Sequence, residues 1–302
     1  PFLYPNIDSV SAYGGEELDP PEFGKVYITV KPKNGEFLST VAKDSIKNDL
    51  KKYTVAGIKQ EFLDLKYLYV EFNSTVSYDA GFIDDKLNLQ SRIISEIERY
   101  AKSADINSFG GRLKYSKLVS QIDKVDTGIT SNITTLIIRR NLTPLINQIA
   151  TYEICYGNKF HMDLEGFNIR SSAFRIDGVD GDLYLTDFPN DDQSSGTIKF
   201  FTFVDGAITY VNNNAGTVDY IKGEIILFPL TITSTTLSNR VEIEAIPESN
   251  DIVAKENLYI VLDTTGNSTL NLLEDVLVSG SNISGTNYVP PSSFISNKKY
   301  TR

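Results

Sequence analysis

The stretch Leu65–Tyr78 alternates apolar and polar positions over fourteen residues. A period of two is typical of a β-strand with one buried face. The apolar face carries Leu68, Val70, Phe72, Val76 and Tyr78. The opposite face carries Tyr67, Tyr69, Glu71, Asn73 and Thr75. At ~3.3 Å per residue such a strand spans roughly 46 Å, so we predict that it bends or extends beyond one domain.

The sequence around this strand predicts a small α/β unit. Strand patterns occupy residues 25–31 and 131–140, and amphipathic helical patterns occupy residues 39–53, 84–102 and 113–122. We therefore predict a two-layer α/β domain with a small mixed sheet over residues 25–141. The helices are expected to cover the sheet face that carries Val26, Ile28, Val30, Leu68, Val70 and Phe72.

The segments that flank the helices show weaker patterns. Residues 1–24 have no regular period, and they are predicted to form an extended lead-in. A short link through Gly57 and Ile58 is predicted to connect the first helix to the long strand.

Helical periodicity disappears after Pro144, and short strand patterns alternate with Gly, Asn, Asp and Pro turns. Val204-Asp205-Gly206-Ala207 is the strongest hairpin signal among them. Residues 142–262 are therefore predicted to form an all-β domain, either a sandwich or an open barrel. Residues 263–302 are predicted to be a polar C-terminal arm. The fold class predicted for the whole chain is α+β.

Charge separates the two parts of the chain and restricts its partners. Residues 1–141 hold 19 basic and 19 acidic side chains, whereas residues 142–302 hold 10 basic and 20 acidic ones, so the net charge of −10 comes from the second part. The asymmetry favours a domain boundary near Asn141. Acidic protein repels phosphate, so we expect no nucleic-acid partner. No apolar run reaches the ~20 residues that a membrane helix needs, so we expect no membrane partner.

Residues with reactive side chains are few and scattered. The single cysteine, Cys155, excludes an intrachain disulfide and a thiolate metal cluster. His161 and Asp163 are close enough in sequence for an acid/base pair, but no motif places a nucleophile near them. The acidic turn around Asp177, Asp180 and Asp182 lacks the ligand spacing of a calcium loop. We therefore predict no catalytic residue, no metal site, no cofactor and no enzymatic activity.

Several segments resemble one known family. They are Tyr13-Gly14-Gly15-Glu16-Glu17, Pro20–Ile28, Lys31–Gly35, the helical Ile93–Tyr100 and the later Val218–Ile225. Together they resemble the C-terminal half of the baseplate wedge subunit of T-even-type contractile-tailed phages, within the wider baseplate J-like group. Because the chain starts at Pro1 and not at a methionine, we expect it to be a fragment of a longer protein.

The resemblance implies a structural virion protein in the tail baseplate, assembled in the host cytoplasm. It implies a homodimer that ties neighbouring wedges into a ring around the hub, a ring that persists through the baseplate conformational change. The implied partners are a second copy and the neighbouring baseplate wedge proteins. The alternative is a carbohydrate-binding or carbohydrate-cleaving tail protein that acts through the β domain, although a chain without tryptophan is poorly suited to stacking on sugars.

Tyrosines on the second face of the predicted sheet are the candidate interface residues. Tyr27, Tyr67 and Tyr69 lie on that face. Tyrosine anchors protein interfaces well because its ring buries a large area while its hydroxyl remains paired. We expect these three side chains to meet a dimer mate or another domain. The alternative is that the β domain or the lead-in of the same chain covers them.

Overall fold

A computed structural model of the chain describes residues 4–17, 20–35, 37–54, 57–255 and 258–275. This part of the chain is mostly β, with three α-helices, and its sheets are not closed. The strands are β1 Ile7–Gly14, β2 Lys25–Pro32, β3 Lys59–Leu63, β4 Lys66–Tyr78, β5 Arg112–Leu113, β6 Ile129–Leu142, β7 Ile149–Cys155, β8 Ile169–Ser171, β9 Phe174–Ile176, β10 Tyr184–Pro189, β11 Ser195–Val204, β12 Ala207–Asp219, β13 Glu224–Thr235, β14 Val241–Ala245, β15 Ile252–Val253, β16 Leu258–Leu262 and β17 Thr269–Glu274. The helices are α1 Thr40–Leu50, α2 Lys86–Ala101 and α3 Tyr115–Asp123.

A three-stranded sheet with the order β1-β2-β3 forms the N-terminal unit. Strand β1 runs antiparallel to β2, and β3 runs parallel to it. Helix α1 begins after Ser39, whose side chain accepts the backbone N–H of Ala42, and it packs Ile46 against Ile28 and Val30. The helix predicted over residues 39–53 is thus confirmed.

Two strands of this unit were missing from the sequence-based prediction. Strand β1 lies in the predicted irregular lead-in, and β3 lies in the predicted link after Gly57. Side chains along β1 alternate poorly, because Asp8, Ser9 and Ser11 are all polar. Both are edge strands of this sheet. Backbone pairing with β2 stabilises each of them more than the burial of one of its own faces does.

Strand β4 lies second from one end of the strand order in the large sheet of twelve strands. Strand β6 pairs antiparallel with one edge of β4. The other edge pairs in parallel with two strands from the end of the described chain, β16 along its first half and β17 along its second. Because β4 is long, two strands pair with the same edge, one after the other. The strand predicted over Leu65–Tyr78 is confirmed.

Helices α2 and α3 cover the inner face of β4. Leu68, Val70 and Phe72 pack in one core with apolar residues of these helices, which include Leu89, Ile93, Ile97, Leu118 and Ile122. Asp85 caps α2 by accepting the backbone N–H groups of Leu87 and Asn88. The helices predicted over residues 84–102 and 113–122, and the apolar face of the long strand, are confirmed. The longest helix in the described ranges has 16 residues, and none of the helices there is long and apolar enough to cross a membrane.

The prediction that β2 and β4 share one small mixed sheet is wrong. They belong to different sheets, and different helices cover them: α1 covers β2, whereas α2 and α3 cover β4. Strand β2 pairs with β1 along one edge and with β3 along the other. Because neither edge of β2 is free, β4 cannot pair with it.

The large sheet continues from β6 through β14, β8, β10, β11, β12 and β13 to β7. Strands β14 and β4 both pair with β6, so hydrogen bonds connect the chain on both sides of Asn141. The hairpin predicted at Val204–Ala207 is confirmed. Asp205 and Gly206 both have positive φ (52° and 81°), as a tight two-residue β-turn requires.

The division of the chain at residues 24, 141 and 262 stays a prediction. Strand β17 lies in the segment predicted as a polar arm, and it pairs with β4. Residues 276–302 of that segment lie outside the described residues.

Candidate functional site

The outer face of β4 is covered by residues of the same chain at its N-terminal end. Tyr67 is 8% exposed, and its ring lies 6.0 Å from that of Phe37 and 6.3 Å from that of Tyr259. The Nζ atom of Lys31, from the end of β2, lies 5.2 Å from the Tyr67 ring centre, close enough for a cation–π contact. This aromatic junction, defined by Lys31, Phe37, Tyr67 and Tyr259, joins the small sheet to the large one.

Tyr27 lies in the small sheet, apart from the other two candidate tyrosines. It is 7% exposed, its ring stacks on Tyr13 at 5.7 Å, and its hydroxyl donates to Glu22. The lead-in therefore covers Tyr27. The structure brings Tyr67 and Tyr69 together, with their ring centres 6.1 Å apart. A contact of the three tyrosines with a neighbouring protein stays a prediction.

A buried ionic node lies beside Tyr69 on the same face of β4. It consists of Arg139 and the carboxylates of Glu71, Glu242 and Asp263. The guanidinium carbon of Arg139 lies 4.4 Å from the centre of the Tyr69 ring. Arg139 is 4% exposed and pairs with Glu71, which is 3% exposed. The other guanidinium nitrogens reach Glu242 at 3.0 Å and Asp263 at 2.9 Å.

The ionic node joins distant parts of the chain. Its members come from β4, β6, β14 and the loop after β16. The side-chain amide of Asn267, in that same loop, lies 3.2–3.4 Å from oxygens of Glu71, Glu242 and Glu244. Burial raises the pKa of the Glu244 carboxyl, and the charge of Glu71 adds to that rise. Since a buried charge is costly without partners, the node holds these segments in one arrangement.

A second polar cluster lines a cavity of about 500 Å³ between β7, β13 and the start of β16. The Cys155 Sγ atom lies 3.3 Å from Glu224 Oε1 and 3.6 Å from Glu153 Oε1, so its single S–H can donate to either carboxylate. Burial, followed by the hydrogen bond to Glu224, raises the pKa of this thiol to about 12. Antiparallel pairing places Glu224 opposite Cys155, whereas 69 positions separate the two in sequence. The sequence therefore gave no signal for this cluster.

The charges around the Cys155 cavity oppose a metal cation. In the described ranges, Glu153, Cys155 and Glu224 are the one group of three side chains spaced to hold a metal ion. Four cationic side chains, those of Lys66, Arg140, Lys222 and Lys255, line the same cavity. A metal ion would also require the thiolate, which the raised pKa of Cys155 disfavours.

The remaining candidate residues make local contacts. The Asp163 carboxylate accepts the backbone N–H of Glu165, and the backbone N–H of His161 donates to the Ile246 carbonyl. In the acidic turn, Asp182 pairs with Arg175 at 2.7 Å. These contacts are typical of stabilised turns.

Comparison with known proteins gives matches over the N-terminal part of the chain. Residues 1–63 match the family described as baseplate structural protein gp6, C-terminal domain I, and residues 66–141 match C-terminal domain III of the same protein. Baseplate wedge protein gp6 of Enterobacteria phage T4 is 28% identical over 152 residues, which make up 50% of this chain and 22% of that protein. The boundaries of the two matches agree with the fold, because β3 ends at Leu63, β4 begins at Lys66 and β6 ends at Leu142. Membership of a wider J-like group stays a prediction.

Proposed function

We propose that this chain is a self-associating link between baseplate wedges, because residues 1–63 and 66–141 match C-terminal domains I and III of the baseplate structural protein gp6. The observation that carries the proposal is that the matches to gp6 domains I and III lie side by side in this chain. Each matched range coincides with a folded unit: the small sheet with α1, and the first part of the large sheet with α2 and α3.

We propose further that self-association through this region ties neighbouring wedges into a ring around the hub, together with other wedge proteins. A ring that persists while the baseplate changes shape needs subunits that do not deform. The ionic node around Arg139 supports this, because it connects β4 and β6 to β14 and to the loop after β16. The pairing of β16 and β17 with β4 adds a second connection between the start and the end of the described chain. The role is mechanical, and the proposal includes no enzymatic step.

Sedimentation velocity of the purified chain tests the proposal. We expect a dimer that dissociates on dilution, and a strictly monomeric chain at tens of micromolar would contradict self-association. A glycan array run on the same material tests the alternative function. Glycan binding by a chain that stays monomeric would support a carbohydrate-binding tail protein instead.

A further inference from the structure

The far end of the β11–β12 hairpin exposes apolar side chains on both of its faces. Phe203, Val204, Ile208, Tyr210 and Val211 are between 39% and 53% exposed. Residues 207–214 of β12 are all exposed, in contrast to the alternating burial of most other long strands. A two-stranded hairpin with no further cover is marginally stable in water, so this end of the hairpin has the composition of a surface that becomes covered.

One edge of β12 is free along this segment. Residues 207–210 pair with β11 on one side, from Ala207 opposite Val204 to Tyr210 opposite Phe201. On the other side β13 joins only at Gly216–Asp219, and no strand in the described part of the chain lies along residues 207–213. A free strand edge offers unpaired backbone N–H and C=O groups to any strand that can approach it.

Charge favours this edge as a place where two copies meet. The protein carries a net charge of −10, so two copies repel each other overall. Residues 206–217 contain no Asp, Glu, Lys, Arg or His. Two copies that approach along this segment place no like charges directly opposite each other there, and such opposition is what destabilises a strand pair.

We propose that two copies of the chain pair through this edge, β12 against β12, antiparallel and centred on Thr209. This inference rests on the proposed self-association and assigns it a surface. An antiparallel pair with its two-fold axis at one residue places the same patch of each copy against itself. Centring on Thr209 places Ile208 of each copy opposite the partner's Tyr210, and Ala207 opposite the partner's Val211.

This register suits the side chains. Ile208 and Tyr210 lie on one face of the strand, because their positions differ by two. The pairing therefore makes two contacts between a β-branched and an aromatic side chain, a combination that stabilises antiparallel strands, and Thr209 meets its equivalent. In this register each opposed pair joins two threonines or two largely apolar side chains, so residues 207–211 are complementary to themselves. This complementarity supports a second copy as the occupant, ahead of an unrelated strand.

Aromatic rings beneath this face hold it in place before association. The Phe203 ring lies 5.5 Å from that of Phe201 and 5.4 Å from that of Tyr184, and the Tyr210 ring lies 6.4 Å from that of Phe201. Side chains already fixed by neighbours lose less conformational freedom when a partner covers them. In the proposed dimer the row of rings continues from β10 across both copies of β12.

Disulfide cross-linking tests the register. In a Cys155→Ser background, Thr209→Cys places two thiols opposite each other across the two-fold axis, with Cα atoms about 4.5–5.5 Å apart, within reach of a disulfide. We expect Thr209→Cys to form a covalent dimer under mild oxidation. The matched control is Val211→Cys, on the same strand and 40% exposed, since its thiols lie about 14 Å apart in this register. Val211→Cys should cross-link only when mixed with Ala207→Cys.

Sedimentation of charge variants separates the possible results. Ile208→Glu adds a like charge to the proposed interface without removing buried packing, and we expect it to weaken dimerisation at least tenfold. Phe82→Glu, at a position that is 73% exposed and far along the chain, should leave the dimer unchanged. A wild-type dimer that persists in Ile208→Glu, with no Thr209→Cys cross-link, would overturn the assigned surface and leave the proposed self-association intact. A monomeric wild type would overturn both.

Discussion

Two aromatic strand faces in this protein differ in what covers them. On β4, Tyr67 and Tyr69 lie under Phe37, Lys31 and Arg139 of the same chain. On β11 and β12, Phe203 and Tyr210 remain 53% and 39% exposed. The two strands also differ at their edges. Strands β16 and β17 pair with the second edge of β4, and β16 brings Tyr259 against Tyr67, whereas residues 207–213 of β12 have an open edge in the described part of the chain. An aromatic face therefore indicates an interface, and the topology decides whether that interface lies within one chain or between two.

The largest expected effect is on the covered face. Arg139→Ala leaves Glu71 buried without its partner and exposes the Tyr69 ring, and we expect a loss of about 3–5 kcal/mol in the free energy of unfolding. Urea denaturation measures it. The matched control is Arg175→Ala, which removes an exposed pair with Asp182 and should cost about 0–1 kcal/mol. Equal losses in the two variants would show that the node does not hold the segments together.

Removing one ring from each face tests the comparison directly. Tyr67→Ala removes a ring that is 8% exposed, and we expect a loss of about 3 kcal/mol in unfolding free energy. Tyr210→Ala should change the unfolding free energy of the monomer by less than about 1 kcal/mol, because the ring is 39% exposed. It should nevertheless weaken dimerisation. Denaturation at low concentration and sedimentation at high concentration separate the two effects, and a reversed order would contradict the assignment of the faces.

Thiol reactivity contrasts a second covered site, Cys155 at the end of β7, with the open edge of β12. The pKa of Cys155 is raised to about 12, so the native chain holds little thiolate near neutral pH. We expect alkylation by iodoacetamide at about pH 8 to be at least ~100-fold slower than in the urea-unfolded chain. The reduced Thr209→Cys thiol, in the Cys155→Ser background and at monomeric concentration, should react at nearly the unfolded rate. Fast alkylation of native Cys155 would contradict the raised pKa.

The smallest expected effect concerns Glu244, beside the ionic node. Its pKa is raised in the folded chain by burial, so the fold favours the protonated form, and stability is lost as the pH rises through that pKa. Glu244→Gln is neutral at every pH. We therefore expect its melting temperature to exceed that of the wild type near neutral pH, with the difference shrinking in acid. The control variant is Glu248→Gln, which removes the same charge at an exposed position. A pH-independent difference would mean that the burial of Glu244 does not act through its charge.

Local pattern predicted the single elements of this protein well. The alternation of Leu68, Val70 and Phe72 predicted β4 and its buried face, and Asp205-Gly206 predicted the hairpin. Both depend on interactions within a few residues: the two-residue period of a strand, and the positive φ that glycine tolerates at little cost and aspartate at some. The resemblance carried by Tyr13–Ile28 was local as well, and the comparisons support it as part of a baseplate wedge protein.

The tertiary structure decided which distant segments of the chain pair with each other. It placed β2 and β4 in different sheets, brought Tyr259 beside Tyr67 and Asp263 beside Arg139, and set Glu224 opposite Cys155. No period in the sequence encodes these contacts, because each depends on which strand edge remains free once the others have paired. The tertiary structure also placed Phe37, Lys31 and Arg139 over Tyr67 and Tyr69, and it left the edge of β12 open along residues 207–213 in the described part of the chain. The sequence by itself determined which residues favour burial in an interface. The order of strands in the sheet decided which of those residues remain exposed beside an unpaired strand edge.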